Sequence, residues 1–368
     1  MLQTRKIKLC LVGDMLSGGG AERVHALLSI YFADSGIEVH NVIVQNKISY
    51  DYKGELLNLG LLKDSRNGIS NKLKRLKVLD SYLRKHDFNF IIDFRIRQKP
   101  VQDWIIAKFI YKSPAIFTVH SSHLQWYMPQ NKWLTQAIYS DAYGIVSITN
   151  KMQSRIEALY SLNNLSTIYN PVSKRYIDNR ISEGVSDLDF NYIVAAGSMD
   201  HDVKQFDKLI SAYSKSVLPD NDIKLLILGN GNHLQAYKEL SVALDVEDNV
   251  LFMGFQDNPY QFMKNAKFTI LSSKFEGLPM VLLESLACGT PVVSFDCFSG
   301  PSEIVVNGTN GLLIEDQNFD ALATGMNLMI TDTRLYNYCK ANALASTDKF
   351  LIENIGRQWL DYLKINLY

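Results

Sequence analysis

The chain has 368 residues, of which 47% are apolar and 21% charged, and its formal net charge is zero. This composition is typical of a folded globular protein, and the length predicts two domains of roughly 150–200 residues. No apolar run approaches the roughly 20 residues of a membrane span, and the four cysteines lack the spacing of a zinc site or a disulfide framework.

Strand-like runs alternate with helical patterns through the first half of the chain. A short apolar run at residues 7–13 predicts a buried first strand rather than a secretion signal, because it is far too short for a signal-peptide core. A glycine-rich loop and a helix from Ala21 to about Asp34 follow. Further buried strands are predicted in EVHNVIV, FNFIIDF, AIFTVH, AYGIVSIT and LSTIYNPV.

Positive charge is concentrated in this half. Residues 1–172 carry 22 Lys and Arg against 13 Asp and Glu, a net charge of +9, and the remainder carries 16 against 25, a net charge of −9. The segment NKLKRLKVLDSYLRKH predicts a basic helix with an apolar face formed by Leu73, Leu76, Leu79 and Leu83. Two interpretations stay open: a solvated surface helix, or attraction to an anionic membrane surface or acceptor.

The alternation restarts at FNYIVAAGS and continues through KLLILGNG, NVLFMGF, KFTILSS and GLLIED. Between the two series, the polar segment 170–189 predicts an irregular linker. A last helix, 352–363, has an apolar stripe that needs a packing partner. We therefore predict an α/β protein made of two Rossmann-like, doubly wound parallel-sheet domains that face each other across a cleft. Ligands of such sheets bind at the carboxyl ends of the strands.

The segment FEGLPMVLLESLACGTPVV, residues 275–293, contains the most informative pattern. Glu276 and Gly277 form a turn after a strand, and Pro279 stands near the start of a short helix. The N–H groups at a helix start are unpaired and attract anions. A carboxylate on each side, Glu276 and Glu284, suits two sugar rings that flank a diphosphate. The pattern therefore predicts a nucleoside-diphosphate-sugar site.

With its flanks, this segment resembles the E-x7-E signature of the retaining glycosyltransferases of family 4, which have the GT-B fold. GGGAERV, FTVHSS, YNPV, AAGSMDHDVKQFDKLISAY, LLILGNGN and LFMGF resemble other motifs of that family, so that the resemblance covers essentially the whole chain. It implies an N-terminal, acceptor-binding domain of residues 1–172, to which a C-terminal helix at about 350–368 returns, and a donor-binding domain of residues 173–349. Bacterial O-antigen and capsule enzymes are similar.

The resemblance also implies roles for individual residues. The implied catalytic residues are Glu276 at the donor sugar, Lys204 at the diphosphate and His120 at the reacting sugar. Glu284 would hold the ribose. The other implied donor-binding residues are Gly19, Gly20, Gly197, Ser198, Gly229, Gly254, Phe255, Gly277, Leu278, Met280 and Val281. For Glu22, a contact with the acceptor and a favourable charge at the start of its own helix are both open.

One departure from the family concerns the start of the second domain. Relatives usually have a Gly-Arg-Leu-like sequence there, whereas this chain has Gly197, Ser198 and Met199. A cation that pairs with the diphosphate is therefore missing. Lys204, Ser198 or Arg175 are candidates to compensate for it.

The resulting expectation is transfer of a hexose or N-acetylhexosamine, with retention, from a UDP-sugar to a lipid-linked surface saccharide. The departing diphosphate would accept the proton of the acceptor hydroxyl. We expect no cofactor, no essential metal ion and no nucleic-acid partner, and a location in the cytoplasm or at the inner face of the membrane. A nucleotide-sugar epimerase is the alternative. A nicotinamide-dependent enzyme is disfavoured because the first loop lacks the G-x-G-x-x-G spacing.

Overall fold

The computed structural model describes residues 6–64, 68–184 and 188–367, and the chain divides into two compact units. The N-terminal unit comprises residues 1–171 and 352–368, and the C-terminal unit comprises residues 172–351. Residues 1–5 of the predicted first domain and residues 185–187 of the predicted linker lie outside the described residues.

The N-terminal unit alternates strands and helices along the chain. Its elements are β1 (Lys8–Gly13), α1 (Gly20–Asp34), β2 (Glu38–Ile43), β3 (Glu55–Asn58), α2 (Ile69–His86), β4 (Phe90–Asp93), α3 (Pro100–Ile105), β5 (Ala115–Val119), α4 (Lys132–Tyr139), β6 (Gly144–Ser147), α5 (Asn150–Tyr160) and β7 (Leu165–Thr167). Helix α3 continues into a wider, π-helical turn at Ile106–Ile110. Short 3₁₀ turns occupy Leu59–Leu62 and Leu124–Trp126.

The strands of the N-terminal unit form a seven-stranded parallel sheet in the order β3-β2-β1-β4-β5-β6-β7. The order reverses between β1 and β4, so helices cover both faces of the sheet. Because both faces are covered, central strands are apolar throughout, as Leu9–Val12 illustrates with four consecutive buried side chains. The carboxyl ends of β1, β4 and β5 meet at one edge.

The C-terminal unit repeats the same architecture. Its elements are α6 (Lys174–Ser182), β8 (Asn191–Ala196), α7 (Phe206–Ser214), β9 (Ile223–Leu228), α8 (Leu234–Ala243), β10 (Val250–Gly254), α9 (Tyr260–Asn265), β11 (Thr269–Leu271), α10 (Met280–Ala287), β12 (Val292–Phe295), α11 (Pro301–Ile304), β13 (Gly311–Ile314), α12 (Phe319–Thr331) and α13 (Thr333–Ala343). The 3₁₀ turns Pro219–Asn221 and Ala345–Phe350 complete the unit.

The six strands of this unit are also parallel, in the order β10-β9-β8-β11-β12-β13. The order reverses between β8 and β11. The loops that follow these two strands therefore diverge to opposite faces and leave a crevice at their carboxyl ends. The predicted fold class, two doubly wound parallel-sheet domains, is confirmed.

The last helix, α14 (Ile352–Tyr362), belongs to the N-terminal unit and packs against α1. Ile355, Trp359 and Leu363 are buried in the same core as β1 and α1. Gly356 allows α14 to approach α1 closely, because a Cβ at this position would overlap the ring of Tyr31 in α1. Burying the tryptophan alone contributes roughly 2–3 kcal/mol to this attachment.

Two expectations about local structure were wrong. The segment predicted as an irregular linker contains α6, whose polar sequence buries only Ile177 and so carries little periodic signal. In α2, Leu79 and Leu83 are buried as predicted, whereas Leu73 is 60% exposed. Within the described residues, no helix combines the length and the apolar content needed to cross a bilayer.

Candidate active site

The turn before α10 presents backbone N–H groups at the crevice edge of the C-terminal sheet. Pro279 is the N-cap residue, with ψ near 99°, so the helix begins at Met280. Among the described residues, the N–H groups of Leu278, Met280 and Val281 have no hydrogen-bond acceptor. The positive end of the helix dipole adds to their attraction for an anion.

A second loop fixes the shape of this turn. Ser299 donates its hydroxyl hydrogen bond to the carbonyl oxygen of Gly277 at 3.2 Å. Gly300, with φ of 98°, packs so closely that a Cβ would lie 2.5 Å from that oxygen and from Cδ of Pro279. Only glycine fits this position, so Gly300 and the Ser299 bond together allow the second loop to pack directly on the turn.

Lys204 and Glu276 form an ion pair at the reversal of strand order. Nζ of Lys204 lies 2.6 Å from Oε1 of Glu276, and the two side chains are 22% and 14% exposed. Two bonds tie their loops together: the hydroxyl of Ser272 donates to the carbonyl of Lys204 at 2.7 Å, and the N–H of Lys274 donates to the carbonyl of Val203 at 2.9 Å. The loop after β8 therefore places a cation beside the carboxylate that follows β11.

Glu284 lies in the second turn of α10 and is partly buried. The hydroxyl of Tyr260, a residue that is 1% exposed, donates to Oε1 of Glu284 at 3.3 Å. This bond helps to orient the carboxylate. Tyr260 could not be selected from the sequence, because no local pattern links it to a glutamate on another helix.

The three predicted glycines at strand ends come together. Gly197 donates to the carbonyl of Leu228 at 2.9 Å, and Gly229 donates to the carbonyl of Gly254 at 2.8 Å. Gly229 has φ of 144°, and a Cβ on it would overlap the carbonyl of Gly197. Beside them the ring of Phe255 is 73% exposed. The ends of β8, β9 and β10 therefore form a floor with no side chains and an exposed aromatic ring at its margin.

The candidates for the missing cation have different surroundings. The hydroxyl of Ser198 donates to Oδ2 of Asp200 at 3.0 Å, so the nearest charge to Ser198 is negative. Arg175 is exposed on α6. Of the three, Lys204 is the one that pairs with Glu276.

Gly19 and Gly20 form the start of α1, after β1 in the N-terminal unit. Gly19 is the N-cap, and a Cβ on it would overlap the carboxylate of Glu22. Glu22 therefore folds back over its own helix start, and of the two interpretations of Glu22 the geometry favours stabilisation of the helix. Burial raises the pKa of this carboxylate.

His120 directly follows β5, and its ring packs near that of Phe94 at the end of β4, with centroids 5.7 Å apart. Its Nε2 lies 2.9 Å from Oγ1 of Thr118. Burial lowers the pKa of His120 to about 3, and the positive charge of Arg97 acts in the same direction, while a hydrogen bond with Asn170 opposes it. His120 is therefore a neutral imidazole above about pH 4.

A buried network behind His120 fixes this edge. Arg97 is 2% exposed and donates to the carbonyl oxygens of Thr118, Arg95 and Asp93 at 2.7, 3.0 and 3.2 Å. Arg95 pairs with the fully buried Asp93 through two bonds of 2.6 and 3.0 Å. Sequence reasoning missed both arginines, although charged residues directly after a buried strand were a signal that could have identified them.

Because His25 is buried, we expect the stability of the N-terminal unit to depend on pH. It is fully buried, its Nε2 lies 3.0 Å from Oδ1 of Asn41, and burial lowers its pKa to about 4. The unfolded chain binds this proton below about pH 6.5, so the free energy of unfolding falls as pH decreases from about 7 towards 4. A decrease from pH 7 to pH 5 therefore lowers the free energy of unfolding by about 2 kcal/mol for one such histidine.

Urea unfolding at pH 7 and pH 5 measures this effect. Between pH 7 and pH 5, the free energy of unfolding of the wild type should decrease by about 2 kcal/mol more than that of His25→Asn. The exposed His233→Asn is the control, and it should retain the wild-type difference. Equal pH dependence of His25→Asn and the wild type would show that His25 is not the titrating group.

The predicted site residues thus fall into two groups. The turn before α10, Lys204, Glu284 and the glycine floor lie in the C-terminal unit, whereas Gly19, Gly20 and His120 lie in the N-terminal unit. The four cysteines are buried and unpaired, as expected for residues without a catalytic role. Burial raises the pKa of Cys288 and of Cys297 to about 12.

Two family models together match most of the chain. Residues 18–175 match "Glycosyltransferase Family 4", and residues 177–345 match "Glycosyl transferases group 1". The fold and the matched segments define the class: the protein is a glycosyltransferase.

Two relatives that align with nearly the full length of the chain identify its family. The chain is 30% identical to N-acetylgalactosamine-N,N'-diacetylbacillosaminyl-diphospho-undecaprenol 4-alpha-N-acetylgalactosaminyltransferase of Campylobacter jejuni, over 95% of this chain and 97% of that protein. It is 25% identical to lipopolysaccharide 1,6-galactosyltransferase of Salmonella typhimurium, over 90% and 92%. The chain belongs to glycosyltransferase family 4, and it is similar to bacterial enzymes named for a diphospho-undecaprenol-linked saccharide and for lipopolysaccharide.

Solved structures share the fold. A glycosyltransferase from Rickettsia africae superposes with a TM-score of 0.80 at 17% identity, over 98% of this chain and 99% of that one. HepE of Anabaena, in complex with UDP, gives a TM-score of 0.77 at 19% identity, over 97% and 100%. The GT-B fold implied by the sequence is confirmed. None of these observations supports the epimerase alternative.

Proposed function

We propose that the protein transfers a hexose or an N-acetylhexosamine from a UDP-sugar to a hydroxyl group of a growing, lipid-linked surface polysaccharide, with retention of the anomeric configuration. The observation that carries the proposal is the 2.6 Å pair of Lys204 and Glu276 beside the unpaired N–H groups at the start of α10. A cation, backbone donors and a carboxylate are the groups that a sugar diphosphate requires.

In the proposed donor complex, the diphosphate lies against the N–H groups of Gly277, Leu278, Met280 and Val281. Glu284, oriented by Tyr260, accepts hydrogen bonds from the ribose hydroxyls. The base lies over the floor formed by Gly229 and Gly254, where the exposed ring of Phe255 is available for stacking. Gly197 and Ser198 border the diphosphate. Complexes of HepE with UDP support UDP as the nucleotide.

The proposed reaction separates charge, so catalysis depends on groups that stabilise the departing diphosphate. Lys204 and the α10 dipole supply positive charge to it, and Glu276 binds the hydroxyls of the sugar. The diphosphate oxygen accepts the proton of the acceptor hydroxyl on the face that it leaves, so the configuration is retained. Neutral His120, whose Nε2–H is donated to Oγ1 of Thr118, accepts a hydrogen bond through Nδ1 from a hydroxyl of the reacting sugar. Gly19 and Gly20 allow close approach to the diphosphate.

The acceptor assignment is supported by the relatives. The name of the Campylobacter protein specifies a saccharide on diphospho-undecaprenol, and that of the Salmonella protein specifies lipopolysaccharide. Helix α2 exposes Ile69 and Leu73, at 77% and 60%, among several lysines. Exposed apolar and basic side chains on one helix suit peripheral contact with the anionic inner face of a membrane.

Product analysis tests the proposal. The full-length protein is incubated with UDP-glucose, UDP-galactose and their N-acetylated counterparts, each with polyprenyl-diphosphate-linked saccharides. We expect UDP release that depends on the acceptor, and a product whose proton NMR spectrum shows an α-linkage. A β-linked product would contradict retention, and conversion of the UDP-sugar without an acceptor would indicate an epimerase.

Removal of divalent metals tests the role given to Lys204. Since the lysine and the helix start supply the positive charge at the diphosphate, we propose that the enzyme needs neither a metal ion nor another cofactor. The rate in excess EDTA should equal the rate in added magnesium to within about twofold. For comparison, removal of one group that stabilises the departing diphosphate lowers the rate by about 10²-fold. Loss of turnover in EDTA, with recovery on adding magnesium, would contradict this assignment.

A further inference from the structure

The N-terminal unit contains a cavity of about 510 Å³ that no residue of the proposed donor site lines. It lies at the carboxyl ends of β1, β2 and β4, where Asp14, Val44 and Arg95 contribute to its wall, and α2 and α3 close its sides. This position includes the reversal of strand order between β1 and β4. Ligands of doubly wound sheets bind at such a reversal.

Positive charge dominates the wall of the cavity. Its cations are Lys63, Lys72, Arg75, Arg95 and Lys99, against the two carboxylates Asp14 and Asp103. Arg95 is already paired with Asp93. In the part of the chain that the structure describes, no carboxylate lies within ion-pair distance of the ammonium groups of Lys63, Lys72 or Lys99.

Both carboxylates of the cavity are engaged with backbone donors. Oδ2 of Asp14 accepts the N–H of Ile96 at 2.8 Å, and Oδ2 of Asp103 accepts the N–H of Lys99 at 2.9 Å. Burial raises the pKa of each. The carboxylates thus shape the loop 96–103, and the lysines are left to attract an anion from solution.

Apolar side chains form a further part of the wall. Leu59, Leu76, Leu79 and Ile106 line it, and Leu76 and Leu79 stand on the same helix as Lys72. The lining of the cavity therefore combines cations that attract an ionised group with side chains that contact hydrocarbon. A free inorganic anion would use only the cations, whereas a phosphoryl group esterified to an apolar chain uses both kinds of lining residue.

We propose that this cavity binds the diphosphate through which the acceptor saccharide is attached to its lipid, with Lys72 and Lys99 as its principal cations. The identity of the ligand rests on the acceptor named under the proposed function, whereas the anion site itself rests on the cavity alone. The donor diphosphate is assigned to the start of α10, so the protein has two separate diphosphate sites. The amides of Gln98 and Gln102 offer further donors in the cavity.

Calorimetric titration of the full chain with inorganic pyrophosphate tests the site. Saturating UDP is present throughout, so that the proposed donor site is filled. Lys72→Ala and Lys99→Ala should each weaken pyrophosphate binding by about tenfold or more, the loss typical of one charge-assisted hydrogen bond. Lys77→Ala removes the same charge from α2 outside the cavity and should retain the wild-type affinity.

Two results of this titration would overturn the inference. One is the absence of pyrophosphate binding to the wild type in the presence of UDP. The other is equal weakening in Lys72→Ala, Lys99→Ala and Lys77→Ala, which would indicate a diffuse effect of surface charge. Thermal unfolding of each variant shows whether it is folded, and Lys99→Met, which keeps the length of the side chain, repeats the test if Lys99→Ala unfolds.

Vesicles distinguish the acceptor's diphosphate from a lipid headgroup. Sedimentation with phosphatidylglycerol vesicles and with phosphatidylcholine vesicles is compared for the wild type, Lys72→Ala and Lys77→Ala. The inference expects Lys72→Ala and Lys77→Ala to have similar effects on vesicle binding. Specific loss of phosphatidylglycerol binding in Lys72→Ala alone would assign the cavity to a headgroup and overturn the inference.

Failure of the proposed function would be recognised separately. The affinity of the wild type for UDP is measured before pyrophosphate is added. Absence of UDP binding, with pyrophosphate binding that depends on Lys72, would contradict the proposed donor and leave the anion site in place. Normal UDP binding and sugar transfer, with no effect of Lys72 or Lys99 on pyrophosphate, would contradict the cavity inference alone.

Discussion

Glu276→Gln and Lys204→Ala should each lower kcat/KM for sugar transfer by about 10²-fold or more. In the structure these residues share a 2.6 Å hydrogen bond at the reversal of strand order. Glu276→Gln keeps the shape of the side chain but removes the charge that holds Lys204 in place. Lys204→Ala removes the cation assigned to the departing diphosphate. Each loss falls on an interaction that is strongest in the transition state.

The double variant makes this prediction specific. Because the two residues act through one shared contact, the combined loss should be smaller than the product of the single losses. Lys274→Ala is the matched control: this lysine lies two residues before Glu276 and pairs with Asp202, and it is assigned no role in the reaction. Near-normal turnover in Glu276→Gln and Lys204→Ala, with UDP affinity unchanged, would remove both residues from the mechanism.

His120→Ala should have the second large effect, again a loss of about 10²-fold in kcat/KM. A neutral imidazole, whose Nε2–H is donated to Oγ1 of Thr118 at 2.9 Å, provides a hydrogen-bond acceptor, Nδ1, whose charge does not change during turnover. Since the pKa of His120 is lowered to about 3, its ionisation should not contribute to the rate profile between pH 5 and pH 8.

The neighbouring His123 provides the control for this prediction. His123→Ala removes an imidazole three residues away in the same loop, and it should change kcat/KM by only a few fold, well short of the roughly 10²-fold loss of a catalytic contact. A rate profile with an inflection near pH 6.5 that disappears in His120→Ala would show that the histidine ionises during catalysis. Either that result or full activity of His120→Ala would contradict the assignment.

The architecture could be predicted largely from local patterns. Buried strands such as β1, β5 and β9 are short, mainly apolar runs bounded by turn residues, and that signal is independent of distant contacts. The strand β3 escaped prediction because Glu55–Asn58 is a short edge strand whose side chains are only partly buried or exposed. Helix α6 escaped for the related reason that its surface is almost entirely polar.

The candidate site could be predicted where its residues are close in sequence. Glu276, the turn and Glu284 span one strand–turn–helix segment, so their common location follows from that segment. The partners that orient them come from elsewhere in the chain: Tyr260 reaches Glu284 from α9, and Ser299 and Gly300 clamp the turn from the loop before α11. No local pattern specifies such contacts, and the resemblance supplied Lys204.

The same reasoning explains why the basic cavity was not foreseen. The sequence showed an excess of positive charge in the first half and left open whether it is solvated or attracts an anion. Lys63, Lys72 and Lys99 come from three separate elements, and only the fold brings them to one wall. Charge counts along a chain indicate an attraction without locating it.

A crystal structure of the protein with UDP tests the central claim most directly. The account predicts that the diphosphate accepts hydrogen bonds from the N–H groups at the start of α10, with the ribose against Glu284 and the ammonium of Lys204 at a phosphate oxygen. A nucleotide bound in the C-terminal unit away from this helix start, or with its ribose distant from Glu284, would contradict it.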